Sequence, residues 1–354
     1  EVILTPPRPY SDLNELPFPN YDLLDVERYV HQYVGPNGDT KRTLTLNTGI
    51  GCLFRCTFCV NPILFKRRYF GKTAERVLDE IGFVLERYGA EYIVFLDEDF
   101  FTDRRRLHAI VKGIQERGYK VDWYANVRAS YFSPTYLSDE FLTQLKGAGC
   151  KRLAMGVESG SQRVLDEVLK KDIRLEQVER AARLCHKHGI ITGYSFMIGV
   201  PGETKPEMLK TLQFMQKLKK IHPECYFFGP QVFRPYPGSE LYDKCLRYGF
   251  EEPTRLQDWV QAISEEGGYF DAETLPWIED VKFVQQASIL GAFFFQDLRK
   301  LQLNWKLPLR LIATALARFR IDFDFWAFPL ELVAYRFYKK GQRLLRALSR
   351  AIRP

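Results

Sequence analysis

The 354-residue sequence lacks several features that would assign it at once to a class of protein. No uncharged apolar run reaches the length of about eighteen residues that a membrane-spanning helix needs. Its seven cysteines form no evenly spaced framework, and nothing resembles a secretory signal, so a disulfide-stapled secreted domain is not expected. With 51 basic and 44 acidic residues, the charge balance is too weak to indicate nucleic-acid binding. These absences favour a globular protein of the reducing cytoplasm.

The middle of the chain alternates between two kinds of pattern. Short runs rich in β-branched and aromatic residues alternate with amphipathic helical spacing, most clearly in the helix predicted to begin near Thr73. This alternation predicts an α/β fold with parallel strands, either a partial (β/α)6 TIM-like barrel or a doubly wound sheet. In both, the chemistry lies at the carboxyl ends of the strands. The six predicted strands span residues 43–48, 92–97, 121–127, 152–158, 191–199 and 225–233.

Three cysteines lie within eight residues in the loop after the first predicted strand, with the sequence GCLFRCTFC. A structural zinc site takes four ligands, and a ferredoxin-type cluster takes four cysteines. Three thiolates can hold a four-iron cluster and leave one iron open, as a catalytic metal requires, although three unrelated cysteines are the alternative. The other four are scattered singly and are predicted to be buried and inert, namely Cys150, Cys185, Cys225 and Cys245.

The C-x3-C-x2-C spacing, with Phe58 just before the last cysteine, resembles the radical S-adenosylmethionine enzymes. The resemblance covers residues 43–250. It implies that Cys52, Cys56 and Cys59 bind a [4Fe–4S] cluster whose fourth iron is chelated by the amino and carboxylate groups of S-adenosylmethionine. It further implies that one electron, from an external donor of flavodoxin or ferredoxin type, cleaves this cofactor to methionine and a 5′-deoxyadenosyl radical.

Two acidic stretches extend the resemblance. FLDEDFF places Asp97, Glu98 and Asp99 after the second predicted strand, where the family carries groups that receive the cofactor's amino group. The alternative is that one of them caps the next helix. AMGVESGSQRVLDEVLKK resembles the family's fourth strand, which implies that Glu158 accepts hydrogen bonds from the ribose, with Ser159 beside it. A surface glutamate at a strand end is the alternative.

Later stretches add further expected cofactor contacts. MIGVPGET resembles the family's turn after the fifth strand, where Gly199 would admit close backbone approach; a tight strand-to-helix turn is compatible with this role. Arg128, after the third strand, would pair with the cofactor's carboxylate, or would be an exposed or helix-capping arginine. The stretch after the sixth strand resembles the segment near the adenine, which implies contacts from the backbone of Val232 and Phe233.

The proline-rich opening is similar to the linker that joins a cobalamin-binding domain to the catalytic domain in the cobalamin-dependent branch of the family. Members of that branch transfer methyl groups or form rings. No Asp-x-His-x-x-Gly loop, the usual cobalt-binding motif of that domain, occurs in the chain. We therefore expect either an upstream cobalamin domain or function without cobalamin. The predicted organisation is a linker at 1–42, a core at 43–250 and a helical, basic region at 251–354.

The last 23 residues, 332–354, carry seven basic residues and no acid, with apolar residues spaced to share one helical face. Such a helix is typical of peripheral contact with an anionic membrane. A helix packed across the barrel with its basic side in solvent is the alternative, and nucleic acid is not expected as a partner. Membrane contact would favour a lipid-like or otherwise apolar small-molecule substrate.

Two rival functions stay open at this level. One is a non-catalytic iron-sulfur or zinc module, and the other is a membrane-surface adaptor that keeps the barrel without its chemistry. The sequence names neither the substrate nor the choice between methylation and cyclisation, because a fold hosts many reactions.

Overall fold

The computed structural model describes residues 3, 5–6, 8–30, 40–263, 275–294 and 307–333. The described residues form eight strands: β1 (Thr43–Leu46), β2 (Gly49–Gly51), β3 (Tyr69–Gly71), β4 (Tyr92–Phe95), β5 (Asp122–Asn126), β6 (Cys150–Glu158), β7 (Ile191–Ile198) and β8 (Tyr226–Val232).

The described part also contains ten α-helices: α1 (Asn61–Leu64), α2 (Ala74–Tyr88), α3 (Arg104–Glu116), α4 (Asp139–Gly147), α5 (Leu175–Lys187), α6 (Lys205–Ile221), α7 (Glu240–Arg247), α8 (Leu256–Ile263), α9 (Val281–Phe294) and α10 (Leu307–Phe323). Shorter helical turns lie at Tyr21–Leu23, Val26–Arg28, Ala129–Tyr131 and Val164–Val168.

Six of these strands form one sheet, in the order β1-β4-β5-β6-β7-β8. The pairs β1–β4, β4–β5, β5–β6 and β7–β8 are parallel. This order follows the chain without the reversal that defines a doubly wound sheet, and it is the order of a TIM-type barrel. The predicted partial (β/α)6 TIM-like fold is therefore confirmed, and each predicted strand is present with ends that differ by at most two residues.

A two-stranded antiparallel hairpin, β2 with β3, was not predicted. Each strand has only three residues and contains glycine, so neither carries the alternating pattern by which strands are recognised. Gly51 ends β2 with φ of +89°, and a Cβ there would lie 2.3 Å from the carbonyl oxygen of Arg68. The hairpin therefore requires glycine at the residue that precedes Cys52.

The chain packs as two compact units that interleave along the sequence. Unit 1 comprises Glu1–Phe54, Asn61–Ala154 and Lys187–Ile190, and unit 2 comprises Arg55–Val60, Met155–His186 and Ile191–Pro354.

In unit 1, helix α2 begins where the sequence predicts a helix. The Thr73 side chain caps it by accepting a hydrogen bond from the Arg76 backbone at 3.2 Å. Its apolar face is fully buried at Val77, Ile81 and Val84. The amphipathic spacing of this segment is therefore explained by packing against the core of the unit.

The described part of the opening segment lies against α2. Asn14 accepts a hydrogen bond from the Thr73 backbone at 2.8 Å, and the ring centroids of Phe18 and Phe83 are 5.1 Å apart. The Tyr21 backbone donates to the Tyr88 hydroxyl at 3.1 Å. The described residues of the predicted linker therefore pack along helix α2 within unit 1.

In unit 2, helix α9 packs closely on β8. The Ser288 hydroxyl donates to the Pro230 carbonyl oxygen at 3.1 Å, and a Cβ at Gly291 would lie 2.2 Å from the Pro230 ring. Helix α10 is linked to α9 through Glu331, which accepts hydrogen bonds from Arg320 at 2.9 Å and from Gln286 at 2.6 Å. The region after β8 therefore includes helices built onto the sheet.

Two predictions outside the sheet have different outcomes. The four singly scattered cysteines are all buried, as predicted, and burial raises the pKa of the Cys245 thiol to about 12. The predicted basic helix over 332–354 lies outside the described residues, except for Leu332 and Val333.

Candidate active site

In unit 1, Asp97 connects the ends of two neighbouring strands. It follows β4 and accepts hydrogen bonds from the backbone and the hydroxyl of Thr48, which follows β1, both at 2.7 Å. Arg106 donates to the same hydroxyl at 2.6 Å. Asp97 is fully buried, and this burial raises the pKa of its carboxyl. Both of its oxygens therefore hold the start of the cysteine loop in place.

Glu98 is exposed, in contrast to Asp97. Its Oε2 atom accepts a hydrogen bond from the Gly51 backbone at 3.0 Å. Gly51 immediately precedes Cys52, whose side chain is half-buried. Of the three predicted acids, Glu98 is thus the one that combines an exposed carboxylate with a direct bond to the cysteine loop.

Asp99 is buried and bonded inside unit 1. It accepts hydrogen bonds from the Tyr131 hydroxyl at 2.7 Å and from the Phe101 backbone at 3.3 Å, and burial raises its pKa to about 6. The alternative that one of the three acids caps the next helix is wrong. Helix α3 is capped by Asp103, which accepts from the Arg106 backbone at 3.0 Å.

Arg128 lies beside the cysteine loop. Its guanidinium carbon is 3.4 Å from the centroid of the Phe54 ring, and Phe54 lies between the first two loop cysteines. Arg128 is half-buried, and its side chain makes no capping hydrogen bond to the short helix Ala129–Tyr131. The structure therefore gives neither an exposed nor a capping arginine, but a cation stacked on an aromatic ring.

In unit 2, Glu158 ends strand β6 in the left-handed region, with φ of +76°. Its carboxylate lies 3.3 Å from the Lys171 ammonium and accepts a hydrogen bond from the Ser195 hydroxyl at 3.1 Å. Only 8 % of the residue is exposed, so the alternative of a surface glutamate is wrong. A backbone strained in this way at a non-glycine residue is common at functional sites.

Lys171 and Ser195 were missed by the sequence reasoning. Lys171 is 7 % exposed, and its ammonium lies 5.3 Å from the centroid of the Phe58 ring. A Cβ at Gly156 would lie 2.9 Å from the Lys171 ammonium, so the glycine makes room for the ion pair with Glu158. The sequence signal for Lys171 was its place in the pair Lys170–Lys171, and such a pair usually indicates a solvent-exposed surface.

The Cys56–Cys59 segment is held by hydrogen bonds within unit 2. The Thr57 hydroxyl donates to the Val168 carbonyl oxygen at 2.7 Å, and the Thr57 carbonyl oxygen accepts from the Leu241 backbone at 2.8 Å. The Cys59 backbone donates to the Cys56 carbonyl oxygen at 3.2 Å, which closes a turn. Cys56 is buried and Cys59 half-buried, and none of the three loop cysteines forms a disulfide bond.

The turn after β7 is built around Gly199, which has φ of +75°. The Gly199 backbone donates to Glu203 at 2.7 Å, and its carbonyl oxygen accepts from the Trp277 indole at 2.8 Å. Burial raises the pKa of the Glu203 carboxyl to about 8. The tight turn that the sequence allowed is therefore present, and it encloses a carboxyl group that is largely protonated near neutral pH.

The remaining predicted residues lie in backbone or scaffold contacts. Val232 pairs with Ile198 in the sheet, and the Phe233 backbone donates to the Ile198 carbonyl oxygen at 2.9 Å. The buried Ser159 hydroxyl lies 3.3 Å from that of Thr211 and accepts from the Ser161 backbone at 3.1 Å. Ser159 therefore ties the end of β6 to helix α6, and its predicted role toward a cofactor stays a prediction.

Part of the chain matches a known protein family. Residues 46–215 match the Radical SAM superfamily. An uncharacterized methyltransferase of Pyrococcus horikoshii is 32 % identical over 242 residues, which cover 68 % of this chain and 49 % of the relative. The anaerobic magnesium-protoporphyrin IX monomethyl ester cyclase of Rubrivivax gelatinosus is 28 % identical over 71 % of this chain and 43 % of its own length. The chain thus spans about half the length of these curated relatives.

Solved structures show the same fold. The radical S-adenosylmethionine methyltransferase TsrM of Kitasatospora setae, with cobalamin and a [4Fe–4S] cluster bound, has a TM-score of 0.51 at 22 % identity, over 59 % of this chain and 38 % of that one. The cobalamin-dependent S-adenosylmethionine radical enzyme OxsB, with aqua-cobalamin bound, has a TM-score of 0.55 at 18 % identity, over 84 % and 50 %. At these identities the likeness is one of fold.

Proposed function

Because residues 46–215 belong to the radical SAM superfamily, we propose that this chain is the catalytic part of a cobalamin-dependent enzyme that methylates or cyclises an apolar small molecule. The family uses a [4Fe–4S] cluster and S-adenosylmethionine. The observation that carries the proposal is the C-x3-C-x2-C loop, whose three thiols are unbridged. The loop begins directly after β2, which follows β1, the first strand of the TIM-like sheet.

The donor set fits the cluster. Thiolates are the usual protein ligands of iron-sulfur clusters, and Cys52, Cys56 and Cys59 supply three of them. When bound and reduced, such a cluster supplies the electron that cleaves S-adenosylmethionine. Within unit 1, the bond from the Gly51 backbone to Glu98 fixes the start of this loop.

The residues that the resemblance assigns to the cofactor include groups of suitable charge in each unit. Glu98 would face its ammonium, and Arg128 its carboxylate. Asp99, whose two oxygens accept hydrogen bonds from Phe101 and Tyr131, would contribute only its negative charge. Glu158, held by Lys171 and Ser195, would accept hydrogen bonds from the ribose hydroxyls. Gly199 and the backbone of Val232 and Phe233 would lie near the adenine. Asp97 is proposed only to position the loop, because Thr48 engages both of its oxygens.

The cobalamin-dependent branch is supported by the reaction types named for the relatives above, methyl transfer and ring formation. The methyltransferase and the cyclase named above match 68 % and 71 % of this chain. The match to each relative leaves about half of that relative's length outside the aligned region, which is room for a further domain. We further propose that the substrate is a small apolar molecule and that an external protein donates the electron. The reaction would be either methyl transfer or ring formation.

Anaerobic reconstitution tests the cluster and its activity together. The wild type is expected to bind about four irons per chain and, with a reduced flavodoxin or dithionite, to release 5′-deoxyadenosine or methylate added cobalamin. Cys56→Ala is expected to lose most of the iron and both products. Cys245→Ala, a buried cysteine outside the loop, is the matched control and should retain them.

The same experiment separates the rivals. Stoichiometric zinc, or a cluster whose iron content is normal while S-adenosylmethionine stays intact, would favour a non-catalytic module and contradict the proposal. Full function of Cys56→Ala in cells would favour an adaptor that has kept the barrel without its chemistry.

Peripheral membrane contact is the second part of the proposal. Within unit 2, Phe323, Phe328 and Leu330 are each more than 70 % exposed, close to the start of the basic segment 332–354. Apolar side chains beside clustered basic residues suit an anionic bilayer surface. Among the helices of the described part, none has the length and apolar character needed to cross a bilayer.

Flotation with anionic vesicles tests this contact. The full chain is expected to float, and a chain without residues 332–354 is expected not to. The double variant F328S/L330S should weaken flotation, whereas L23S/L24S, which changes two exposed leucines in unit 1, should not. Equal flotation of all four proteins, or of none, would contradict membrane contact through this region.

A further inference from the structure

Unit 2 contains a second group of metal-ligating side chains, at the edge of the sheet where strands begin. His186 lies in the last turn of α5, His222 follows α6, and Glu224 precedes β8. In a β/α fold, helix ends and strand starts meet at the amino edge of the sheet, opposite the edge where the Gly199 turn lies. This group is therefore separate from the residues discussed above.

The three side chains converge. One ligand atom from each lies within 4.8 Å of the others. The His186 Nδ1 atom is 3.0 Å from Glu224 Oε2, and His222 Nε2 is 3.8 Å from the same oxygen. Ligand atoms of a tetrahedral zinc ion are about 3.3 Å apart, given metal–ligand distances near 2.0–2.1 Å. Small side-chain rotations would bring all three onto one ion.

His222 is already oriented as a ligand. Only 2 % of its side chain is exposed, and its Nδ1 atom lies 2.9 Å from the Thr192 hydroxyl. A partner on one ring nitrogen fixes the ring so that the other faces the metal, as is usual for ligating histidines.

The group of His186, His222 and Glu224 is accessible from solvent. His186 and Glu224 have side chains that are 47 % and 41 % exposed, which gives an ion a path from solvent. Glu224 contributes one negative charge. Lys219 is a nearby ammonium, and it donates a hydrogen bond to the Cys225 carbonyl oxygen at 2.5 Å.

We propose that His186, His222 and Glu224 form a site for a divalent transition metal, with Zn²⁺ as the best match, and with a fourth position open to water. Two imidazoles and one carboxylate are the ligand set of many zinc sites, whereas Mg²⁺ and Ca²⁺ prefer oxygen ligands alone. A bound ion would join the ends of α5 and α6 to the start of β8 and stabilise the amino edge of unit 2.

The metal content of the reconstituted, untagged full chain tests the site. After saturation with Zn²⁺ and desalting, the wild type is expected to retain one zinc in addition to its cluster irons. His186→Ala and Glu224→Gln are expected to lose this zinc. His188→Ala changes a histidine two residues away that lies beside Asp139, and it should retain the zinc. Zinc retained by His186→Ala, or absent from the wild type, would overturn the proposal.

Cobalt spectroscopy distinguishes metal binding at this site from metal binding by the loop cysteines. In a C52S/C56S/C59S chain titrated with Co²⁺, the site is expected to give visible d–d bands without a thiolate-to-cobalt charge-transfer band. The added substitution His186→Ala should abolish these bands. If only a thiolate band appears in the wild type and the triple variant binds no cobalt, the ion belongs to the cysteine loop and the proposal fails.

Thr192→Val tests the orientation of His222 without removing a ligand. The substitution is expected to weaken zinc affinity about 10- to 100-fold, as measured by competition with a chromophoric chelator. Zinc should also raise the unfolding midpoint of the wild type and leave that of His186→Ala unchanged. A wild-type midpoint that zinc does not move would contradict an ion that joins these elements.

Discussion

Two acidic residues at the carboxyl ends of parallel strands, Asp97 in unit 1 and Glu158 in unit 2, have similar positions in the sequence and different surroundings. Both oxygens of Asp97 accept hydrogen bonds from one residue, Thr48. Glu158 instead faces a cation, Lys171, and a strand hydroxyl, on a strained backbone. An acid at a strand end therefore has its role fixed by its partners, which come from distant parts of the chain.

The largest expected effect concerns the ion pair of Glu158. Lys171→Met should lower the free energy of unfolding by about 3–5 kcal/mol, because it leaves a buried carboxylate without its cation. The double variant E158Q/K171M should recover most of this loss. Urea unfolding of the two single variants and the double variant measures the coupling, and purely additive losses would contradict a buried pair.

The contrast between Asp97 and its neighbour Glu98 is the next test. Asp97→Asn should lower the free energy of unfolding by about 1.5–3 kcal/mol, since it removes a charged acceptor from a buried hydrogen-bond pair. Glu98→Gln should change stability by no more than about 0.5 kcal/mol. We expect Glu98→Gln to weaken S-adenosylmethionine binding in equilibrium dialysis. Equal stability losses for the two variants would remove the distinction between them.

A smaller effect is expected from Glu203, whose pKa is raised to about 8 in the folded protein. The unfolded chain binds fewer protons than the folded one between the ordinary glutamate pKa and this value. The contribution of Glu203 to stability is therefore full in acid and is lost as pH rises toward 8. Glu203→Gln should flatten this decline in urea midpoints. An unchanged pH profile would show that Glu203 ionises normally in the folded state.

The features that could be predicted from the sequence are those that depend on the spacing of nearby residues. The three loop cysteines, the six strands of the sheet and the turn at Gly199 each follow from residues that are near one another in sequence. The amphipathic spacing after Thr73 also predicted helix α2, because one face of that helix is buried against the core.

The missed parts depend on contacts between residues distant in sequence. Lys171 is 13 residues from Glu158, and Ser195 is 37 residues away, so no motif joins them. The capping residue of α3 was missed for a related reason, since four acids lie close together and only the backbone geometry selects Asp103. The group of His186, His222 and Glu224 likewise appears only when two helix ends and a strand start are brought together.

The most direct test of the central claim is electron paramagnetic resonance of the reduced, cluster-loaded chain with and without S-adenosylmethionine. If the three loop cysteines hold a cluster with one iron open to the cofactor, addition of S-adenosylmethionine should shift the spectrum of the wild type. Cys56→Ala should give no cluster signal, and Cys245→Ala should behave as the wild type. A wild-type spectrum that S-adenosylmethionine leaves unchanged would contradict the account.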